Sequence, residues 1–330
     1  MIEYVIANFP FYKVVILKDL LIKDNIWFSK SKSQNFLVDK NYIKKFYNII
    51  SQFKGANFIE IGGGSGNLSI ILSIIAKELV IVELDRYFSR LLSKIFDIDE
   101  FEDNKFNFSN NDNIFLCDID KSFIDEFQSY LNRENKKIKV INRDFLSIDF
   151  IQEKIFENNK NKEKSILFGN IPYNISSQII IKISKYKEIF NRVFLTTQKE
   201  YFERLTGKFE KSFITIFSQY HFEINKLFDI PANAFYPKPK INSTFFCMIP
   251  KERIFDKNEE KEFFDFVSQS FANKRKKFLN NFKDNSHIYA ILSLILEKEN
   301  LDINIRAEDF DLEDFIKIFK LLKYYKTYHI

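Results

Sequence analysis

Asn57-Phe-Ile-Glu-Ile61, then Gly62-Gly-Gly-Ser-Gly66, then Leu79-Val-Ile-Val-Glu-Leu84 is the stretch whose reading decides the fold. The first five residues read as a short buried strand. The glycines read as a tight turn, and 67–76 carries an apolar run that suits a helix. The segment 79–84 is a second strand, closing on acidic Glu83 with Asp85 just beyond. Two strands joined through a helix make a βαβ unit, the connection that a parallel sheet requires.

Outward from this unit the alternation continues. Strands are expected at 138–142, 165–168 and 192–196, with helices at 176–186 and 199–206, which predicts a doubly wound α/β sheet. The stretch 97–137 interrupts the pattern. It is rich in Asp, Asn, Lys and Phe, opens with Asp97, Asp99, Glu100, Glu102 and Asp103, and reads as an insertion with a helical portion near 123–131. Acidic residues repel phosphates, so this insertion is expected to face away from a polyanionic partner. Pro231, Pro237 and Pro239 make 230–240 a rigid extended segment, and 243–249 returns as a strand. From Glu259 the pattern turns helical. The organisation predicted is an N-terminal extension over 1–33, an α/β domain over 34–250 and a small helical domain over 251–330.

Composition narrows the function. The 330 residues carry 50 Lys and Arg against 45 Asp and Glu, a net charge of +5 that permits an anionic partner without requiring one. The 40 Phe and 15 Tyr accompany many Ile, Lys and Asn, a pattern of biased codon usage rather than a sign of base stacking. Cys117 and Cys247 stand far apart, and His221, His287 and His329 are scattered. Neither a disulfide framework nor a metal site is expected, and Cys–His or Ser–His nucleophile chemistry has no support. The apolar N-terminus is broken by Pro10, Lys13, Asp19 and Lys23, and the longest apolar run is broken by Lys77 and Glu78. No signal peptide or membrane span is expected; a soluble protein of a reducing, cytoplasmic compartment is.

The motifs carry the chemistry. Glycines spaced G-x-G-x-G over Gly62, Gly64 and Gly66 differ from the dinucleotide fingerprint G-x-G-x-x-G, and no Gly-Lys-Ser/Thr follows to make a P-loop. This spacing suits close backbone approach to an uncharged part of a nucleoside. Glu83, at the next strand end, can accept both hydroxyls of a ribose. Asp144, in Asn142-Arg-Asp144, can accept from an adenine amine, although Asp at a strand end is also an ordinary helix cap. Gly169-Asn-Ile-Pro-Tyr173 is the sharpest element. An exocyclic adenine amine is a poor nucleophile because its lone pair is delocalised into the ring. The Asn170 amide oxygen and a backbone carbonyl at or beside Pro172 can accept its two N–H groups and aim the lone pair at an electrophilic methyl. Positioning and electrostatics then carry the step without a strong base. Tyr173 offers a stacking face worth about 1–3 kcal/mol per base.

With these residues in order, the chain resembles the ribosomal small-subunit RNA adenine N6,N6-dimethyltransferase family from Gln34 to about Phe315. The likeness rests on Gln34-Asn-Phe-Leu37, the Gly62–Gly66 loop, Glu83-Leu-Asp-Arg86 and Gly169-Asn-Ile-Pro-Tyr-Asn-Ile-Ser176. It extends through Gln198-Lys-Glu200, Glu203-Arg-Leu205, Phe235-Tyr-Pro-Lys-Pro-Lys-Ile-Asn-Ser243 and Arg306-Ala-Glu308. The resemblance implies a Rossmann-like class I methyltransferase sheet with a small helical C-terminal domain. It implies that Asn35, Leu37, Gly62, Gly64, Glu83, Asp144 and Asn170 bind S-adenosyl-L-methionine. Asn170, Pro172 and Tyr173 would hold the target adenine, with Phe235 as a second stacking face. The implied reaction is dimethylation of two adjacent adenosines near the 3′ end of small-subunit rRNA, on an immature small subunit, by a monomer. Such bases must leave a stack or come from a loop to be read.

The antibiotic-resistance dimethylases of large-subunit RNA share the glycine loop, N-I-P-Y and F-x-P-K-P. Gln198-Lys-Glu200 and Phe271-Ala-Asn-Lys-Arg-Lys-Lys277 look more like the small-subunit group. In the latter, Lys274, Arg275, Lys276 and Lys277 suggest a helix contacting RNA phosphates, or a plain solvated face. A binding factor that keeps the fold without catalysis is a further alternative, and a nicotinamide oxidoreductase a distant one. Three residues depart from the family pattern: Gly63 stands where Pro is usual, Ser69 where Thr is usual, and Ser33 in place of Gly.

Overall fold

The structure, a computed structural model, describes residues 1–23, 35–98, 102–103, 121–153, 155 and 164–328. The chain divides into two compact units, Met1–Lys199 with Asn225–Ile249, and Glu200–Ile224 with Pro250–Ile330. Residues 200–224 therefore group with the helical unit, whereas the sequence suggested a boundary near 250.

The first unit is built on strands β1 (Phe36–Leu37), β2 (Asn57–Ile61), β3 (Glu78–Glu83), β4 (Glu102–Asp103), β5 (Lys137–Asn142), β6 (Ser165–Asn170), β7 (Phe190–Gln198), β8 (Phe222–Ile230), β9 (Phe235–Tyr236) and β10 (Ser243–Pro250). Eight of them form one sheet in the order β4-β5-β3-β2-β6-β7-β10-β8. From β4 to β7 every neighbouring pair is parallel, and β10 runs antiparallel to β7. Parallel strands covered on both faces read as continuous apolar runs, and β2 is buried at all five positions although Glu60 is one of them. The βαβ unit closes through helix Ser69–Ile75, every residue of which is buried.

Two segments look different from their sequence. Within the supposed insertion 97–137, β4 adds to the sheet edge beside β5, and Lys121–Arg133 is a helix with Phe123, Phe127 and Leu131 buried. Residues 99–101 and 104–120 lie outside the described residues, and so does the expected direction of their acidic cluster. The N-terminal segment folds as helices Ile2–Asn8 and Val14–Lys23, with Val5, Phe9, Phe11 and Leu17 fully buried in the same core as the sheet.

The second unit packs helices Phe213–His221, Lys257–Ser270, Ser286–Lys298 and Leu312–Tyr328 around a Phe-rich core that includes Phe263, Phe266, Phe315 and Phe319. The basic run Lys274, Arg275, Lys276 and Lys277 is exposed but not helical. The helix before it stops at Ser270 because the buried Asn281 takes over its end. Asn281 Nδ2 donates to Ser270 O at 2.8 Å, and its Oδ1 accepts the Asn273 N–H at 3.1 Å. With those groups bonded to a side chain, the chain leaves the helix as a turn.

Candidate active site

From β2 the chain proceeds to β3 and β5 on one side, then returns to place β6 on the other side of β2. That reversal is the topological switch point, where open parallel sheets form a crevice beyond the carboxyl ends of their strands. A cavity of about 320 Å³ lies there, lined by Asn35, Leu37, Glu60, the Gly62–Gly64 turn, Glu83, Asp144, Asn170, Ile171, Pro172 and Phe235, among others. Its size is that of a small-molecule site.

The glycine turn and the end of β3 are locked together. Gly64 N–H donates to Glu83 Oε2 at 2.8 Å, and Asp85 N–H donates to Glu83 Oε1 at 2.7 Å. Gly64 needs its glycine twice over. Its φ is +52°, and a Cβ would stand 2.9 Å from the Phe36 ring. Gly63 has another reason to lack a side chain: a Cβ there would meet Ile81 Cγ2 at 2.6 Å and Leu92 Cδ1 at 2.8 Å.

Asp144 caps the turn after β5, accepting the Leu146 N–H at 2.9 Å, yet its exposed side chain also lines the cavity. Asn170, at the end of β6, donates from Nδ2 to Asn35 O at 3.0 Å. That bond sets the amide's rotation and turns Oδ1 away from the Asn35 backbone. The Pro172 carbonyl accepts the Ser176 hydroxyl at 2.9 Å, fixing the peptide plane of the turn. The Tyr173 side chain lies outside the described residues. Phe235 is 4% exposed and pairs with Leu37 across the antiparallel β1–β9 ladder, which brings the Asn-Phe-Leu motif and the Phe-Tyr-Pro segment to one wall. Gln34 and Ser33 lie outside the described residues. Lys274, Arg275, Lys276 and Lys277 belong to the second unit and are not among the residues lining the cavity.

Glu60, Asn67 and Arg143 also line the cavity and were not singled out from the sequence. Glu60 is 2% exposed, and its Oε2 has no hydrogen-bonding partner among the described residues; burial, partly offset by the Ser69 hydroxyl and reinforced by the charge of Glu83, pushes its carboxyl up to about 8. A carboxylate between two isoleucines of a buried strand was the available signal. Asn67 joins three segments, donating from Nδ2 to Leu37 O at 2.7 Å and Phe11 O at 3.1 Å and accepting the Ser65 hydroxyl at 2.8 Å. Arg143 is held by Glu153 in a two-point pair at 2.6 and 3.2 Å. Nothing in the sequence marked that pairing. Among the described residues no cluster of His, Cys, Asp and Glu could hold a metal ion, and no helix is long and apolar enough to cross a membrane.

A Rossmann-like sheet with a glycine turn at its switch point, an acidic residue closing the next strand and Asn-Ile-Pro-Tyr closing the fourth long parallel strand defines a class I methyltransferase. Residues 27–112 and 104–324 match the ribosomal RNA adenine dimethylase family, and the chain belongs to that family of enzymes. The two matches overlap inside the stretch that reads as an insertion. The chain is 30% identical over 301 residues to the ribosomal RNA small subunit methyltransferase A of Malacoplasma penetrans, covering 90% of this chain and 93% of that one. It is 29% identical over 302 residues to the protein of the same name from Francisella tularensis subsp. novicida, covering 89% and 97%. Among solved structures, a dimethyladenosine transferase from Plasmodium falciparum superposes with a TM-score of 0.61 at 22% identity, over 88% of this chain and 98% of that one. The 23S rRNA methyltransferase ErmE superposes with a TM-score of 0.59 at 17% identity, over 87% and 99%. These two speak for the fold alone.

Proposed function

We propose that the cavity binds S-adenosyl-L-methionine and that the protein dimethylates the N6 amines of two adjacent adenosines near the 3′ end of small-subunit rRNA during ribosome assembly. The observation that carries the small-subunit reading is the likeness to small-subunit methyltransferases along nearly the whole of both chains. The residues present fit the cofactor. Glu83, already oriented by two backbone N–H groups, can accept the ribose hydroxyls, and the glycine turn leaves room for close approach. Asp144 can accept from the adenine amine, while Asn35 and Leu37 form the facing wall. When bound, the sulfonium supplies an electrophilic methyl carbon.

The chain's own groups prepare the acceptor. Asn170 Oδ1 takes one N–H of the target N6. A carbonyl of the Ile171–Pro172 turn takes the other, with the Pro172 oxygen already positioned by Ser176. Both acceptors would draw the amine toward tetrahedral geometry and aim its lone pair at the methyl carbon that a bound donor would supply, and the proton given up by the amine would leave to solvent. Phe235, which lines the cavity, would give an apolar face to a base outside its stack, the role that the family resemblance also assigns to Tyr173. In this reading the exposed turn carrying Lys274, Arg275, Lys276 and Lys277 contacts rRNA phosphates, and the enzyme works as a cytoplasmic monomer on the immature small subunit.

The test is mass spectrometry of rRNA after incubation of the protein and S-adenosyl-L-methionine with unmethylated small subunits, and with large-subunit RNA in parallel. N6,N6-dimethyladenosine near the small-subunit 3′ end is expected. A mark on large-subunit RNA alone would move the protein to the resistance-type dimethylases. Binding to small subunits with no mark on either RNA would make it a non-catalytic assembly factor.

A further inference from the structure

Residues 1–23 lie outside the stretches that match the family, yet they are not a loose addition. Phe9, Phe11 and Leu17 are fully buried, and Tyr12 is 5% exposed. The segment reaches the back of the glycine turn at three points. Tyr12 OH donates to Asn67 O at 2.8 Å, and Phe11 O accepts from Asn67 Nδ2 at 3.1 Å. The Phe9 ring stands 3.7 Å from the place a Gly66 Cβ would occupy. The same Asn67 amide also donates to Leu37 O at 2.7 Å. One buried side chain therefore ties the N-terminal segment to both walls of the cavity, the glycine turn and β1.

We propose that residues 1–23 are a positioning element for the donor site, with Tyr12 its key residue, acting through Asn67 to hold the glycine turn and Leu37 in their ligand-binding arrangement. The need for such a support follows from the turn's composition. Gly62, Gly64 and Gly66 all have positive φ, and glycine loses more freedom on ordering than any other residue. A turn that orders only on binding would charge that entropy to the ligand, whereas a turn already fastened from behind would not. Burial of the Tyr12 phenol raises its pKa well above the ordinary value, so the donor proton stays in place across working pH. The far side of the segment is anchored as well. Lys40 Nζ donates to Ala7 O at 2.9 Å, Lys44 pairs with Glu3 at 2.7 Å, and Tyr4 stacks on Phe123 with ring centroids 5.7 Å apart.

This inference rests on the cavity being the S-adenosyl-L-methionine site, and the experiment separates the two. Calorimetry of S-adenosyl-L-homocysteine with the full chain asks first whether wild-type protein binds it. No binding would overturn the cofactor reading and take the positioning role with it. If wild type binds, Tyr12→Phe, which removes one hydroxyl and leaves the ring, is expected to weaken binding by about three- to tenfold, the range for one lost buried hydrogen bond. Its KM for the donor should rise by a similar factor while kcat at saturating donor stays within about twofold, since Tyr12 is not among the residues lining the cavity and bonds neither Asn170 nor the Ile171–Pro172 turn. A merely structural role would lower melting temperature and active fraction together and leave Kd and KM where they were. That outcome would overturn the proposal. Should Tyr12→Phe fail to fold, Phe9→Leu, which trims the ring behind Gly66, is read in the same way.

Discussion

Gly64 donates its N–H to Glu83 Oε2 at 2.8 Å, so the turn after β2 and the carboxylate ending β3 form one rigid pair. Glu83 Oε1 is engaged by Asp85 N–H at 2.7 Å, so both oxygens are oriented by backbone donors. Glu83→Gln would set an amide NH2 against one of these N–H groups and remove the charge that strengthens both bonds. Loss of a charge-assisted bond costs about 1.5–3 kcal/mol. Donor affinity should fall by about ten- to a hundredfold in calorimetry, with the sheet intact by circular dichroism. An unchanged Kd would remove Glu83 from the ribose site.

Asn170→Ala should abolish most methyl transfer without unfolding the protein. The residue is half-buried and bonded through Nδ2 to Asn35 O, so its loss removes an acceptor and a tether rather than core packing. Removing one preorganised acceptor of this kind lowers kcat by about a hundredfold or more. Donor binding should change less than kcat does. Radiolabelled methyl transfer to small subunits, beside the calorimetric Kd, reads both quantities; near-wild-type turnover would discard the role given to Asn170.

Gly63 has no room for a side chain. Ile81 Cγ2 and Leu92 Cδ1 lie 2.6 and 2.8 Å from where a Cβ would sit. Gly63→Ala should therefore destabilise the fold by about 1–3 kcal/mol through overpacking, despite the lower backbone entropy of alanine. The midpoint of urea unfolding is the measurement. A midpoint equal to or above that of wild type would show that Ile81 and Leu92 relax freely.

These cases show what the sequence could convey. The β2–turn–β3 unit was legible because its signals are local: apolar runs, clustered glycines and an acidic strand end. Asn170 and Glu83 were legible as cavity-lining positions because each closes a strand of a parallel sheet, and Asp144 because it lies two residues past the end of another, where side chains reach the crevice. The β1–β9 pairing of Leu37 with Phe235 was not, since strands of two residues far apart in sequence carry no periodicity. The basic run after Ser270 looked helical because composition cannot show that Asn281, several residues on, takes the bonds a further turn would need. The place of Tyr12 behind Asn67 was equally silent: a tyrosine in an apolar segment reads as core until its hydroxyl's partner is seen.

Glu60 carries the pH dependence. Its carboxyl is buried beside the glycine turn, its Oε2 unpaired among the described residues, and burial raises its pKa from 4.5 to about 8. Below pH 4.5 the group is protonated whether the chain is folded or not, so it adds no slope. Between 4.5 and 8 it is protonated only in the folded protein; folding takes up a proton, and stability falls as pH rises. Above 8 it is ionised in both states, and the slope vanishes again. Glu60→Gln has no proton to gain or lose. In the ligand-free protein its stability relative to wild type should increase from pH 5 to pH 8, by up to about 1.4 kcal/mol per pH unit. Urea unfolding at pH 5, 6.5 and 8 measures the difference directly. A difference that stays constant over that range would mean that Glu60 is ionised in the folded protein at neutral pH, held by a partner that offsets its burial.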